Sequence, residues 1–485
     1  MKNPVKIAIV DNGINDNLIN ITEHLKIDEN NQCIIESGSA YHQVFSHGTN
    51  CALIIRKYFP EAELYSIKIL DDKGKGIIEK LEPAFDWCCE REIQLVNLSF
   101  GTTHFQDKPA IRKIVNHYAN RGMIIVAAAS NSGYKSFPAS LSNVIGAASG
   151  DLFSVDEDFQ NQRGVDFIAP SNHEISLDGI TFQMETSNSY AAPFITAMIG
   201  KDFMEECRCT VSEIRRKISA VLKMGDFMSV PDWSENAWVS DKCKKSQASY
   251  YFGQLKGEFD RCESSVDTIV ITDKAEFAEY KGKGKHIVYL GKDKIEPMDS
   301  YRHFWSRKQR IAQIWSSKKR EADLDVPVIL LKLDQMQDMF LWLSKLRECF
   351  RRSGYNGYAM AKEIECVLYD LEYLPEELCN EDSLEQIHHF LFWQTYYCQA
   401  DVILFGIHDA CVDRRNTFHE KLEKLVDMLI EISNFKVIGK HQHIMTKVYC
   451  DGKLEAESVL KLDDKTISLF YRDVLASLLE VEDEQ

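Results

Sequence analysis

The sequence predicts an α/β protein: a mostly parallel sheet with helices on both faces. Two observations in the first half of the chain carry that expectation. Short β-rich runs recur at KIAIV (6–10), LYSIKIL (64–70), IQLVNLSF (93–100), MIIVAAAS (123–130) and SNVIGAA (142–148). Between them lie HGTNCALIIRKY, GIIEKLEPAFDWCCERE and KPAIRKIVNHYANRG, whose apolar residues fall at helical spacing. Strand–helix–strand alternation returns the chain in the same direction each time, so the strands pair in parallel under covering helices. In such folds chemistry gathers at the carboxyl ends of the strands.

At 485 residues the chain exceeds what one core usually supports, so two domains are expected. The formal net charge of −17 argues against a nucleic-acid partner. The basic runs KGKGK (281–285) and SKKR (317–320) read as solvated faces or linkers. MKNPVKIAIVDNG reads as a strand rather than an export signal, and no stretch approaches the ~18–20 apolar residues of a membrane span. Fourteen cysteines without such a signal are expected to be free thiols in a reducing, cytoplasmic setting. Cys88-Cys89 and Cys207-x-Cys209 lack a second pair at metal spacing and read as structural.

The polar stretch SENAWVSDKCKKSQAS (234–249) reads as a linker, which divides the chain into domains 1–235 and 251–485 joined by 236–250. In the second half DTIVITD, HIVYLG, VPVILLKL, YNGYAMAKE and ADVILFGIHD are expected strands. MQDMFLWLSKLRECFRR and HEKLEKLVDMLIEISN are expected amphipathic helices. ECVLYDLEYLP and ADVILFGIHD resemble pieces of nucleotide-binding, Rossmann-like α/β folds. A phosphate loop after VPVILLKL would need G-x-x-x-x-G-K-[ST], and the sequence there is DQMQDMFL. Without glycines, backbone amides cannot cradle phosphates, so this half reads as a degenerate fold kept for recognition or assembly. Asp401, His408, Asp409, His441 and His443 invite a metal assignment, but nothing in the sequence fixes their mutual geometry.

Asp11 ends the first strand, where a bare D-x-G is as readily a turn. His47-Gly48-Thr49 opens a helix, whose positive end disfavours protonation and suits a neutral base. Asn131 follows MIIVAAAS, placing an amide donor at another strand end. Ser187 and Ser189 stand at the start of a small-residue helix, where either could be an N-cap or a nucleophile with its own N–H free to hold an oxyanion. Serine acyl transfer needs a base, an acid to orient it and oxyanion donors. Asp, His, Asn and Ser appear in that order, each at the rim of one sheet.

Residues 1–230 resemble the catalytic domain of the subtilisin-like serine proteases. VDNGIN (10–15) is similar to the family's aspartate motif and HGTNCALII (47–55) to its histidine motif. KILDDKGKG (68–76) and NLSFG (97–101) resemble the strands lining the cleft, and AAASNSGYKSFPAS (127–140) the segment with the oxyanion asparagine. SNSYAAPFITAMIG (187–200) resembles the serine motif, G-T-S-x-A-x-P. Only Ser189 leaves Ala191 and Pro193 in register, so the resemblance makes Ser189 the nucleophile. It further implies that Asp11 orients His47, that His47 is general base and acid, and that Asn131 joins the Ser189 N–H in the oxyanion hole. Ser99, Phe100, Gly101, Ala129 and Ser130 become the expected substrate-binding residues.

The departures are specific. Ser187-Asn188 replaces the motif's Gly-Thr, and Ser130 stands where glycine is usual, making the pocket floor bulkier and more polar. Only RKYFPEAE separates the histidine helix from LYSIKIL, so the calcium loop of secreted relatives is expected to be missing, and no inhibitory pro-region is expected ahead of Asp11. No metal and no cofactor are expected. The resemblance implies a cytoplasmic serine endopeptidase acting on a specific polypeptide, such as the leader of a ribosomally made, modified precursor peptide. No nucleic acid or membrane partner is expected, and homo-oligomerisation is left open. The altered Ser187, Asn188 and Ser130 keep an alternative: a catalytically impaired, subtilase-like scaffold that binds peptides.

Overall fold

The computed structural model describes residues 4–36, 45–150, 164–177, 179–202, 210–219, 230–295, 303–317, 319, 323–334, 337–375, 384–408, 426–438 and 441–475. The first sheet holds β1 (Lys6–Asp11), β2 (Glu23–Ile27), β3 (Cys33–Glu36), β4 (Glu63–Lys68), β5 (Leu95–Leu98), β6 (Ile124–Ala128), β7 (Val144–Ser149) and β8 (Phe167–Ala169). Its order is β3-β2-β4-β1-β5-β6-β7-β8, parallel throughout except for the antiparallel edge pair β2–β3. An antiparallel hairpin, β9 (Glu174–Leu177) and β10 (Ile180–Gln183), precedes the serine segment.

Around the sheet pack α1 (His47–Tyr58), α2 (Leu81–Glu90), α3 (Lys108–Ala119), α4 (Asn188–Asp202) and α5 (Val211–Ile218). Along β1 the side chains alternate between two cores. Ile7 and Ile9 join Ile54 and Ile55 of α1 and Ile195 and Ile199 of α4, while Ala8 and Val10 join Phe85 of α2 and Val115 of α3. Because both faces are covered, the strand reads as a continuous apolar run. α1 reaches β4 through a short connection in which the Arg56 guanidinium donates to the Pro60 carbonyl at 2.5 Å and the Ala62 carbonyl at 2.8 Å.

Beyond residue 230 the chain builds two further sheets, where the sequence led us to expect one α/β unit. β11 (Asn236–Val239), β12 (Gly253–Leu255), β13 (Thr268–Ile271), β14 (His286–Tyr289) and β15 (Phe304–Ser306) form an all-parallel sheet in the order β12-β11-β13-β14-β15. Helices α6 (Phe259–Cys262), α7 (Lys274–Tyr280) and α8 (Arg307–Trp315) accompany it. The third sheet comprises β16 (Val328–Leu333), β17 (Gly357–Ala361), β18 (Glu372–Tyr373), β19 (Val402–His408), β20 (Met428–Ile438), β21 (His441–Cys450) and β22 (Lys453–Lys461). Its order is β18-β17-β19-β16-β20-β21-β22, with β21 antiparallel to both of its neighbours, β20 and β22. With it go α9 (Met339–Arg352) and α10 (Leu384–Cys398).

Two local expectations are corrected. Residues 234–249 contain β11, whose Ala237 is fully buried beside Trp233, so the polar letters hide a strand of a packed sheet. The helix expected over 419–434 is a strand from Met428 onward, paired with β16 and β21, with Ile430 and Ile432 buried at alternate positions. A short apolar run fits either period, and two strand partners decide it. The rest of that expected helix, 419–425, lies outside the described residues, as do Cys207, Cys209 and Asp409.

The later sheets meet the first around Asp370. Its carboxylate accepts from Lys108 Nζ at 2.9 Å and Arg112 Nη1 at 2.6 Å of α3, with Arg347 of α9 at 3.7 Å. Burial alone would raise the Asp370 pKa; the three cations override it and hold the carboxyl below the usual carboxylate range. Nearer the first sheet's asparagine, the Lys135 N–H donates to the Tyr397 carbonyl at 2.8 Å.

Candidate active site

Asp11 is buried at the carboxyl end of β1, 1% exposed. Its Oδ1 accepts the Asn12 N–H at 2.8 Å, and both oxygens face His47 Nδ1, at 2.8 and 3.0 Å. His47 reaches it because α1 starts almost against the end of β1. A Cβ on Gly48 would lie 2.7 Å from the Gly13 carbonyl oxygen, so glycine alone permits that approach. The start of α1 is fixed twice: Ser46 Oγ accepts from the Thr49 N–H and donates to the Gly13 carbonyl, and Asn12 Oδ1 accepts from the Gly48 N–H.

Burial works against a charged His47, and the Asp11 carboxylate outweighs it, so the imidazole pKa stands above its ordinary value. The helix N-terminus, expected to lower it, does not prevail. Cys51 lies beneath the pair, and the atoms of Asp11, His47 and Cys51 are within 4.8 Å of one another. Burial, then the negative Asp11, raises the Cys51 thiol well above its usual range, so it stays protonated. Both Asp11 oxygens are already turned to N–H groups, of Asn12 and of His47, above a neutral thiol.

Ser189 lies in the first turn of α4, and α1 is fastened to that turn. Asn50 Nδ2 donates to the Tyr190 hydroxyl at 3.0 Å, and the rings of His47 and Tyr190 stack at 5.7 Å. Pro193, inside α4, has no N–H for the carbonyl four residues back, which is that of Ser189. Cys51 Sγ approaches this freed carbonyl at 3.9 Å. Thr196 Oγ1 donates to Asn97 Oδ1 and Asn97 Nδ2 to Ser99 Oγ, both at 3.0 Å, tying α4 to the end of β5.

Asn131 is exposed just past β6. Its Oδ1 accepts the Asn188 N–H at 2.9 Å, and its Nδ2 donates to Ser187 Oγ at 3.2 Å. Ser187 Oγ also accepts the Ser189 N–H at 3.2 Å. The structure therefore brings Asp11, His47, Ser189 and Asn131 to one rim. Of the expected substrate contacts, Ser99 is buried under the cleft, while Phe100 and Gly101 lead out of β5 toward the pair that Thr102 makes with Phe137. A Cβ on Gly101 would lie 2.8 Å from the Phe137 carbonyl oxygen. Ala129 and Ser130 are half-buried, and the Ser130 hydroxyl pairs with Ser132 Oγ at 2.6 Å. The second-half candidates are not gathered: Asp401 precedes β19 and caps the Asn356 N–H, His408 ends β19, and on β21 His441 is exposed and His443 half-buried.

Sequence reasoning missed Asn188. It is fully buried, its Oδ1 accepts the Ser149 N–H at 2.8 Å, and its Nδ2 donates to the Ser130 carbonyl at 2.9 Å. Its carboxamide accepts through one atom and donates through another, bridging two segments, and the sequence signal was its presence where the motif has threonine. Asn12 and Ser46 were also passed over. Both are polar residues beside a catalytic-type motif, which is where orienting groups belong.

The family model described as the subtilase family matches residues 2–221. The Minor extracellular protease Epr of Bacillus subtilis (strain 168) is 31% identical over 153 residues, 29% of this chain and 22% of that protein. Subtilisin BL of Lederbergia lenta is 30% identical over 140 residues, 28% of this chain and 51% of that protein. Thermitase of Thermoactinomyces vulgaris is 26% identical over 209 residues, 40% of this chain and 73% of that protein. The chain thus spans about a fifth to a half of the first two relatives. A crystal structure of a lanthipeptide protease aligns with 44% of this chain and 79% of its own, at 17% identity and a TM-score of 0.36. Motif order, sheet topology and the family match agree: over residues 2–221 the chain carries a domain of the subtilase family.

Proposed function

We propose that the protein is a serine endopeptidase that forms an acyl-enzyme on Ser189. The observation that carries the reading is the Asp11–His47 pair fastened, through Tyr190 and Asn50, against the turn that holds Ser189. With Nδ1–H held by Asp11, the neutral tautomer leaves Nε2 as the acceptor. The Ser189 hydroxyl gives its proton to His47 Nε2 as its oxygen attacks the scissile carbonyl. The carbonyl oxygen becomes an oxyanion held by the Ser189 N–H and Asn131 Nδ2, and Asp11 stabilises the imidazolium. The C–N bond then breaks, and His47 passes its proton to the departing amine. Water, deprotonated by His47, releases the acyl group and restores Ser189.

The substrate we propose is a specific peptide, such as the leader of a ribosomally made, modified precursor, cut in the cytoplasm. The large region beyond residue 230, in contact with the 131–135 segment beside the cleft, supports a narrow substrate range. Every described cysteine is a free thiol, which supports a reducing setting. No described helix is long and apolar enough to cross a membrane. A second reading, a peptide-binding scaffold, is favoured by the Ser187 hydroxyl, which occupies both oxyanion donors. A fluorophosphonate probe separates the two. Covalent labelling that disappears in Ser189→Ala is expected; folded protein that stays unlabelled both as wild type and as Ser187→Ala would mark a scaffold.

A further inference from the structure

We infer that the Ser187 side chain is a built-in plug of the oxyanion pocket, engaging in the free protein the two donors that a reacting carbonyl must use. The inference rests on the proposed role of Ser189. Since α4 begins at Asn188, Ser187 is its N-cap, and a cap hydroxyl normally satisfies one unbonded N–H of the first turn. Here that N–H belongs to Ser189, at 3.2 Å, and is the group that would hold the oxyanion. Asn131 Nδ2 donates to the same oxygen, also at 3.2 Å. Its orientation is not arbitrary. The opposite side of that amide accepts the Asn188 N–H, so the NH2 group must face Ser187. Asn188 is itself locked to the Ser130 carbonyl and the Ser149 N–H.

Two donors thus converge on one oxygen, as an oxyanion pocket requires, and the protein supplies that oxygen. The family motif has glycine at this position, which has no side chain to place there. A substrate carbonyl can enter only when Ser187 turns to another rotamer, and the residue's half-exposed position leaves it room to do so. Each neutral hydrogen bond given up costs a factor of a few, while the bonds to a developing oxyanion are charge-assisted and stronger. The balance favours the transition state over the resting plug, but only for a carbonyl that other contacts press into place. Small or loosely held acyl groups meet the cost without the compensation, so Ser187 acts as a specificity device.

The test compares second-order labelling rates by a fluorophosphonate in wild type, Ser187→Ala and Ser187→Gly, each shown to be folded by circular dichroism. Both variants are expected to label about three- to tenfold faster, since the probe is held by few contacts besides the pocket. The gain should shrink when Asn131→Ala is added, because one of the two plugged donors is then gone. Ser189-dependent labelling of wild type that is equal or slower in both Ser187 variants would overturn the plug, making the hydroxyl a spectator or a third donor, and leave Ser189 in place. Labelling absent from wild type and both variants would overturn the nucleophile reading and the plug with it. Labelling found only in the variants supports the plug in its strongest form.

Discussion

Among the described residues, two carboxylate–imidazole pairs stand at the carboxyl ends of parallel strands, and only one of them lies beside the proposed nucleophile. Asp11 ends β1 and meets His47 Nδ1 at 2.8 Å; His408 ends β19 and meets Glu363 through its own Nδ1, also at 2.8 Å. Both imidazoles have raised pKa values. For His408 the Glu363 hydrogen bond leads and burial opposes it, whereas for His47 burial is the larger effect and Asp11 still prevails. The difference lies at the other nitrogen. His408 Nε2 faces the Gln337 carbonyl at 3.3 Å in a residue 6% exposed, so both of its ring nitrogens are held by the fold. The His47 side chain is 32% exposed, and its ring lies on Tyr190, next to the serine. An acid–base pair becomes catalytic through what its second nitrogen can reach.

Substitution separates the surroundings of the two pairs most sharply at the proposed oxyanion donor beside the first. Asn131→Ala is expected to lower kcat about 10²–10³-fold with substrate affinity little changed, while His408→Ala stays within about twofold of wild-type activity. Equal losses in the two variants would erase the contrast. Asp370→Asn probes the seam between the regions. It leaves Lys108, Arg112 and Arg347 without their anion and should cost about 3 kcal/mol of stability. Chemical denaturation followed by tryptophan fluorescence measures it, and an unchanged midpoint would show that the cations find other partners.

Acidification gives opposite signs for rate and for stability. The rate needs neutral His47, whose native pKa is raised above about 6.5, so kcat/KM should fall tenfold per pH unit below that raised value. A raised native pKa means that the Asp11–His47 pair stabilises the fold fully below about pH 6.5 and loses that contribution as pH rises through the native value. The lowered Asp370 pKa works in the other direction: its contribution is present above about pH 3.9 and is lost only as pH falls further. Between about pH 5 and 6.5 the protein should therefore lose activity and stay folded. Activity that does not return on neutralisation would point to unfolding instead of protonation.

The first region was legible in sequence because its chemistry is local to strand ends. Each motif is a strand followed at once by Asp11 or Asn131, or a helix opened by His47 or led into by Ser189. What the letters withheld was long-range. The sequence offered Ser187 and Ser189 as equal caps; the cap went to Ser187, and only the fold reveals that Asn131, 56 residues away, shares its oxygen. Asn188 read as a departure and is a fully buried hub. Beyond residue 230, polar letters hid β11 and a helical pattern hid β20, because strand partners outweighed local periodicity. Asp370 gave no signal at all, since its cations lie on α3 and α9.

The smallest expected effect concerns whether the second region touches substrate. Tyr396 of α10 is 47% exposed, and its ring lies 5.5 Å from Tyr134, three residues beyond Asn131. A peptide leaving the cleft on that side would meet both rings. An aromatic contact is worth about 0.5–1.5 kcal/mol beyond area burial, or roughly two- to tenfold. Tyr396→Ala should therefore lower kcat/KM for a full-length precursor peptide by that factor and leave fluorophosphonate labelling unchanged, because the probe reaches no further than Ser189. The ratio of the two rates is the informative quantity. If both fall together, Tyr396 supports the 131–135 segment and the asparagine it carries, without touching substrate. If neither falls, α10 borders the cleft but not the path of the peptide, and recognition must be sought elsewhere in the sheets beyond residue 230.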